Sequence, residues 1–184
     1  MANILVLTEL SGNSVKPVTL EVLGKLQGHS LEVACLGELG ADSVEQLAKF
    51  GAAKIHSLKG KGLDKYSPEG HAQAYKSFIE AQSYDYIFAG ATSQGKDLIP
   101  RLAGLFNAGM ASEVTNFTME GGEFSGTRPL FAGKCLAKVE IKGPKPHFIT
   151  VRPNSLGLAE DPQSGPAEQN STDVSTGTVR AFIK

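Results

Sequence analysis

Short apolar runs and amphipathic segments alternate along the first half of the chain. The runs are strand-sized, and strands that are apolar on both sides are typical of a parallel sheet buried between helices. The segments between them repeat apolar residues at helical spacing, as Leu20, Leu23 and Leu26 do. The predicted strands are residues 3–8, residues 31–36, a short strand around Ile55 and residues 86–89, and the predicted helices begin near Pro17, Ala41, Pro68 and Ser93.

This alternation decides the fold class. Strand and helix alternate four times, which predicts parallel strands joined by right-handed crossovers. We therefore predict an α/β fold with a mainly parallel central sheet and helices on both faces. The first strand is apolar throughout, so we expect it to lie in the middle of the sheet.

The pattern changes after Gly109. Four strand-like runs follow, at residues 113–119, 123–130, 134–141 and 147–151, and turn signals such as Gly121-Gly122 separate them. Short connections favour hairpins over crossovers. We therefore predict an antiparallel meander that extends or flanks the parallel sheet.

Residues 153–184 differ again in composition and in apolar pattern. Residues 153–172 are rich in Pro, Gly, Ser and acidic residues, which predicts a linker-like loop. Residues 174–183 alternate apolar and polar positions, which predicts a strand that returns to the edge of the sheet. A length of 184 residues favours a single domain over residues 1–184.

Composition excludes several classes of function. Eighteen basic and nineteen acidic residues give a net charge of −1, without the basic stripe of a nucleic-acid-binding protein, and no apolar run is long enough to span a membrane. Cys35 and Cys135 are far apart and belong to no CxxC pair, so we expect two free thiols in a reducing compartment. Because Met1 leads directly into a strand, we expect no signal peptide, and a bacterial cytoplasm is the predicted location.

Catalytic and metal-binding motifs are missing from the sequence. The four histidines do not have the spacing of metal ligands, and Ser93 and Ser125 do not lie in a G-x-S-x-G nucleophile elbow. We therefore expect neither a metal site nor catalytic residues, and predict that the chain is not an enzyme. The histidines are His29, His56, His71 and His147.

One strand–loop–helix unit, within residues 84–115, is the candidate binding element. Its loop, Gly90-Ala91-Thr92-Ser93-Gln94-Gly95, is predicted to follow a strand at the carboxyl end of the sheet, where α/β proteins bind ligands. The loop could hold a phosphate on the N–H groups of a helix N-terminus, with Lys96 assisting. It matches neither the Walker pattern nor G-x-G-x-x-G, so we favour a structural turn in which Ser93 caps the helix.

Charged residues near this unit and near two later strands are candidates for an interface. Asp97 and Arg101 lie four residues apart, which predicts a surface or interface ion pair on one helix face, and Lys96 precedes them. Arg128 and Arg152 each stand before a proline near a strand end. Such side chains could reach a neighbouring domain or subunit, or bind local backbone carbonyls instead.

Several short motifs resemble one known family. GATSQGKDLIPRLAGLF followed by GMASEVT is similar to the N-terminal domain of electron transfer flavoprotein alpha subunits. NILVLTE, LAKFGAAKIH, RPLFAGKCLAKV and FITVRPN agree in register, so that the resemblance covers about the first 155 residues. It implies an adenine-nucleotide alpha-hydrolase-like, or Rossmann-like, fold.

The resemblance also implies a function. Electron transfer flavoproteins are heterodimers of alpha and beta subunits that carry electrons from acyl-CoA and other dehydrogenases to a quinone reductase, as in fatty acid β-oxidation. In this family FAD is bound by a second domain through an SGGRG-type loop, which these 184 residues do not contain. AMP is bound by the beta subunit. The chain is thus expected to be a scaffold domain without a cofactor of its own. The alternative is a stand-alone, stress-protein-like domain that binds ATP or AMP at residues 90–95.

Overall fold

A computed structural model describes residues 1–12, 14–162, 165–177 and 179 of the chain. The helices within these residues are α1 (Pro17–Lys25), α2 (Ala41–Lys49), α3 (Pro68–Glu80) and α4 (Ser93–Leu105), and a 3-10 turn spans Phe131–Gly133. The strands are β1 (Asn3–Leu7), β2 (Leu10–Ser11), β3 (Ser14–Val15), β4 (Ser30–Leu36), β5 (Lys54–Lys59), β6 (Tyr86–Gly90), β7 (Met110–Val114), β8 (Asn116–Glu120), β9 (Glu123–Leu130), β10 (Cys135–Glu140), β11 (His147–Val151) and β12 (Glu168–Asp173).

A seven-stranded sheet in the order β12-β5-β4-β1-β6-β11-β7 forms the centre of the fold. All of its pairings are parallel. The predicted α/β fold with a mainly parallel sheet is confirmed, and the apolar strand β1 lies between β4 and β6 as expected.

Helices cover both faces of this sheet, because the side chains of each strand alternate between two cores. In β1, Ile4 and Val6 join the core beneath α1 and α2, while Leu5 and Leu7 join the core beneath α3 and α4. Prolines in the first turns of α1 and α3 fit the rule that a missing N–H costs nothing there.

The predicted antiparallel meander is confirmed for part of the second half of the chain, where β8, β9 and β10 form a three-stranded antiparallel sheet. The prediction is wrong for residues 147–151 and for residues 113 and 114, because β11 joins the parallel sheet beside β6, and β7 pairs with β11. The predicted strand at residues 113–119 is two strands, which separate at Thr115 as the chain leaves the main sheet. The small sheet then packs on the α1 side, with Phe117 and Phe124 at 5.1 and 6.2 Å from Phe88 between ring centroids.

The last strand lies earlier than the sequence predicts. β12 occupies residues 168–173, inside the predicted linker, and pairs with β5 at the sheet edge. Its polar sequence EQNSTD gives no apolar signal, because an edge strand is held by backbone hydrogen bonds and leaves its side chains largely exposed. The predicted strand at 174–183 does not begin at Val174, and residues 178 and 180–184 lie outside the described residues.

Candidate functional site

The crevice between the carboxyl ends of β1 and β6 is where the order of the sheet reverses. After β1 the chain builds outwards through β4 and β5, and after α3 it returns to the other side of β1 with β6. In open α/β sheets such a switch point is the usual ligand position. The loop of residues 90–95 lies at this crevice, as the sequence predicted.

Side chains of the protein contact one another at this crevice. Glu9, just after β1, receives a hydrogen bond from the Thr92 hydroxyl and forms an ion pair with Lys16. The Thr92 hydroxyl also accepts the Gly95 N–H at 3.0 Å. Thr92 is therefore the N-cap of α4, and the prediction that Ser93 caps this helix is wrong. Thr92 keeps an extended backbone that aims its oxygen at the N–H three residues on, whereas Ser93 is already helical.

Close packing explains both glycines of the loop. A Cβ atom on Gly95 would lie 1.9 Å from the carbonyl oxygen of Gly90, and a Cβ atom on Gly90 would lie 2.5 Å from Val18. The N–H of Ala91 donates to Val151 at 2.7 Å and that of Lys96 to Thr92 at 2.9 Å. The glycines thus serve contacts within the fold, and the Thr92 hydroxyl of the loop is already bonded to Glu9 and to the Gly95 N–H.

We therefore expect the loop to hold no nucleotide with useful affinity. Titration calorimetry of the chain with AMP, ADP and ATP should give dissociation constants weaker than about 10 μM, which corresponds to about −7 kcal/mol. Tighter binding that disappeared in a Lys96→Met variant would contradict this prediction and favour the nucleotide-binding alternative.

Asp97 in α4 has a different partner from the one predicted. Its Oδ2 accepts a hydrogen bond from the Tyr66 hydroxyl at 2.8 Å. No Asp97–Arg101 ion pair within 4.0 Å occurs in the part of the chain that the structure describes, because the loop before α3 brings Tyr66 over the first turn of α4. Burial is the main cause that raises the pKa of Tyr66, and the hydrogen bond to Asp97 raises it further. The charge of Arg101 lowers this pKa by a smaller amount.

Three of the predicted interface residues gather around a residue that the sequence analysis did not single out. Glu113, near the end of β7, accepts a hydrogen bond from Lys96 at 3.1 Å and lies 3.9 Å from Arg152. The bond from Lys96, followed by the charges of Lys96, Arg152 and Arg128, lowers the pKa of Glu113. Glu113 has a left-handed backbone (φ 54°), and its N–H donates to the Thr150 hydroxyl at 3.0 Å.

Arg128, in β9, completes this group. Its Nη1 donates to Ser112 Oγ at 2.7 Å, while its buried Nε finds no acceptor among the described residues. Glu113, Arg128 and Arg152 line a groove of about 470 Å³ together with the last two residues of β9 and the turn Phe131–Gly133. The structure thus brings Lys96, Arg128 and Arg152 together around Glu113, whereas Asp97 bonds to Tyr66.

Two further carboxylates each join segments that are distant in the sequence, and sequence reasoning missed both. Glu21 in α1 is only 3% exposed and accepts the backbone N–H groups of Asn154 and Leu156 at 3.0 and 3.1 Å. It therefore anchors the segment that follows Arg152. The available signal was a glutamate inside the otherwise apolar run from Leu20 to Leu23.

Glu32 in β4 is the second of these carboxylates. It contacts His56 Nε2 at 2.9 Å and receives a hydrogen bond from the Tyr84 hydroxyl at 2.7 Å, with Lys54 at 3.4 Å. The bond with His56 is the main cause that lowers the pKa of Glu32 to about 2. Because the pKa falls on folding, the cluster stabilises the fold above about pH 4.5, and this contribution is lost as the pH falls towards 2.

The described residues contain no group of three or more His, Cys, Asp or Glu side chains arranged to hold a metal ion. Each helix among them is too short or too polar to cross a lipid bilayer.

Comparisons with known proteins give a consistent result. The family model of the electron transfer flavoprotein domain matches residues 4–177. The electron transfer flavoprotein subunit alpha of Bacillus subtilis is 29% identical over 185 residues, covering 98% of this chain and 57% of that protein. The corresponding subunit of Thermoanaerobacterium thermosaccharolyticum is 25% identical, covering 98% of this chain and 58% of that protein.

A third relative comes from a dehydrogenase. The LctC subunit of the lactate dehydrogenase (NAD(+),ferredoxin) of Acetobacterium woodii is 29% identical over 145 residues, covering 75% of this chain and 35% of that protein. The chain thus spans little more than half the length of these two alpha subunits and about a third of LctC. With a family model that covers nearly its whole length, the chain belongs to the electron transfer flavoprotein domain family.

Proposed function

We propose that this chain is the scaffold domain of an electron transfer flavoprotein alpha subunit. The observation that carries the proposal is the family match over residues 4–177, together with alignments that extend over only 57% and 58% of two alpha subunits. The domain pairs with a beta subunit and contributes structure rather than redox chemistry. The complete protein carries electrons from acyl-CoA dehydrogenases and other dehydrogenases to a quinone reductase in the bacterial cytoplasm.

In this proposal FAD supplies the electron chemistry and is bound by a second domain. A dinucleotide site needs pyrophosphate donors on a glycine-rich turn and a cleft for the flavin ring. The switch-point crevice of this chain supports the proposal, because Lys16 and Thr92 both contact Glu9 there. The glycines of the adjacent loop are closely packed against the chain itself.

The visible absorption spectrum tests whether this chain itself binds FAD. We expect the purified 184-residue chain to be colourless and to bind added FAD weakly, without a stoichiometric absorbance near 450 nm. A yellow protein that kept one FAD per chain through dialysis would contradict the scaffold role and would place a flavin site within these residues.

A further inference from the structure

The turn between β9 and β10 presents large apolar side chains to solvent. Phe131 is 78% exposed, and Leu136, opposite Pro129 in the strand register, is 70% exposed. We call residues 129–136 the β9–β10 tip. Apolar residues exposed singly are ordinary on protein surfaces, whereas exposed apolar residues concentrated in one region are typical of a contact surface.

The backbone of the tip is unusual. Phe131, Ala132 and Gly133 all have positive φ, at 49°, 56° and 87°. Residues with a Cβ atom rarely adopt this conformation, and they do so most often at binding and functional sites. Here the Phe131 ring lies in solvent just after the end of β9, whereas Phe124 near the start of β9 is buried in the core.

Positive charge surrounds the tip. Arg128 and Arg152 line the groove beneath it, and the exposed Lys134 is part of the tip itself. The one carboxylate among the described residues lining that groove is Glu113, which already contacts Lys96 and Arg152. The surface therefore combines an aromatic anchor with arginines, the residue types that dominate binding energy at interfaces.

Resting on the function proposed above, we propose that the β9–β10 tip docks into an apolar pocket of the beta subunit whose rim carries carboxylates. Carboxylates on the partner would pair with Arg128, Arg152 and Lys134 while Phe131 fills the pocket. A second copy of this chain fits less well, because a two-fold interface centred on the tip would bring the same basic residues together.

The test measures the affinity of the chain for the purified beta subunit encoded in the same genome, with Phe131→Ser as the variant. Loss of a buried aromatic anchor should weaken binding about 30-fold or more. Leu158→Ser is the matched control, because Leu158 is 56% exposed and lies outside the tip and its groove, and its affinity should stay within about twofold. Unchanged urea midpoints for both variants show that the fold is intact, as expected for exposed side chains.

Each outcome has a distinct meaning. If the unmodified chain does not bind the beta subunit, both the proposed function and this surface are wrong. If it binds and Phe131→Ser binds equally well, the surface alone is wrong. If the unmodified chain forms a homodimer that Phe131→Ser dissociates, the tip joins two copies of the chain, which also overturns the proposal.

Discussion

Replacing Gly95 by alanine should destabilise the protein by about 3 kcal/mol. The added Cβ would stand 1.9 Å from the carbonyl oxygen of Gly90, which is backbone and has no rotamer with which to move away. The substitution therefore has to displace the first turn of α4 from the end of β6. Urea unfolding should show a lower midpoint with an unchanged slope.

Gly104→Ala is the matched control, in the same helix. Apart from the adjacent residues and the nearby backbone of the same helix, no atom lies within 4 Å of the Cβ that it would add. The variant should therefore be neutral or gain up to about 1 kcal/mol from helix propensity. Equal urea midpoints for Gly95→Ala and Gly104→Ala would contradict the packing explanation of the loop and would leave Gly95 available for a ligand.

Replacing Glu21 by alanine should cost about 3 kcal/mol. The carboxylate accepts two backbone N–H groups while almost fully buried, and hydrogen bonds to charged groups contribute about 1.5–3 kcal/mol each. Its loss leaves the N–H groups of Asn154 and Leu156 without this acceptor. Thermal or urea unfolding measures the change.

Glu45→Ala provides the comparison, because Glu45 is exposed on α2 and the substitution should change stability by less than about 0.5 kcal/mol. If Glu21→Ala were as mild as Glu45→Ala, the segment after Arg152 would be held by other contacts. The anchoring role given to Glu21 would then be wrong.

Local sequence signals predicted the central elements well. Short apolar runs predicted β1, β4 and β6, and prolines predicted the starts of α1 and α3. Turn signals also predicted β9 to the residue. In each case the physical cause, burial on both faces or a restricted φ, acts within the element itself.

Long-range pairing explains where the predictions failed. β12 is polar, and its assignment as a strand depends on β5, more than a hundred residues away. β11 follows a short connection, yet it pairs in parallel with β6 and β7 rather than with β10. Neither pairing can be predicted from the local pattern, since each depends on strands that are distant in the sequence.

The candidate surface was predictable only in part. Arg128 and Arg152 stood out because each precedes a proline near a strand end, but their convergence with Lys96 on Glu113 depends on the order of strands in the sheet. Phe131 is exposed in a turn with three successive positive φ angles, and the local sequence gives no signal that predicts this conformation. The partners of Glu21 lie 133 and 135 residues away, which places them beyond any spacing rule.

The measurement that tests the central claim most directly is size exclusion with light scattering of this chain co-expressed with the beta subunit. The account predicts that the two co-elute at micromolar concentrations as a one-to-one complex. Separate elution of the two proteins at these concentrations would contradict the scaffold role.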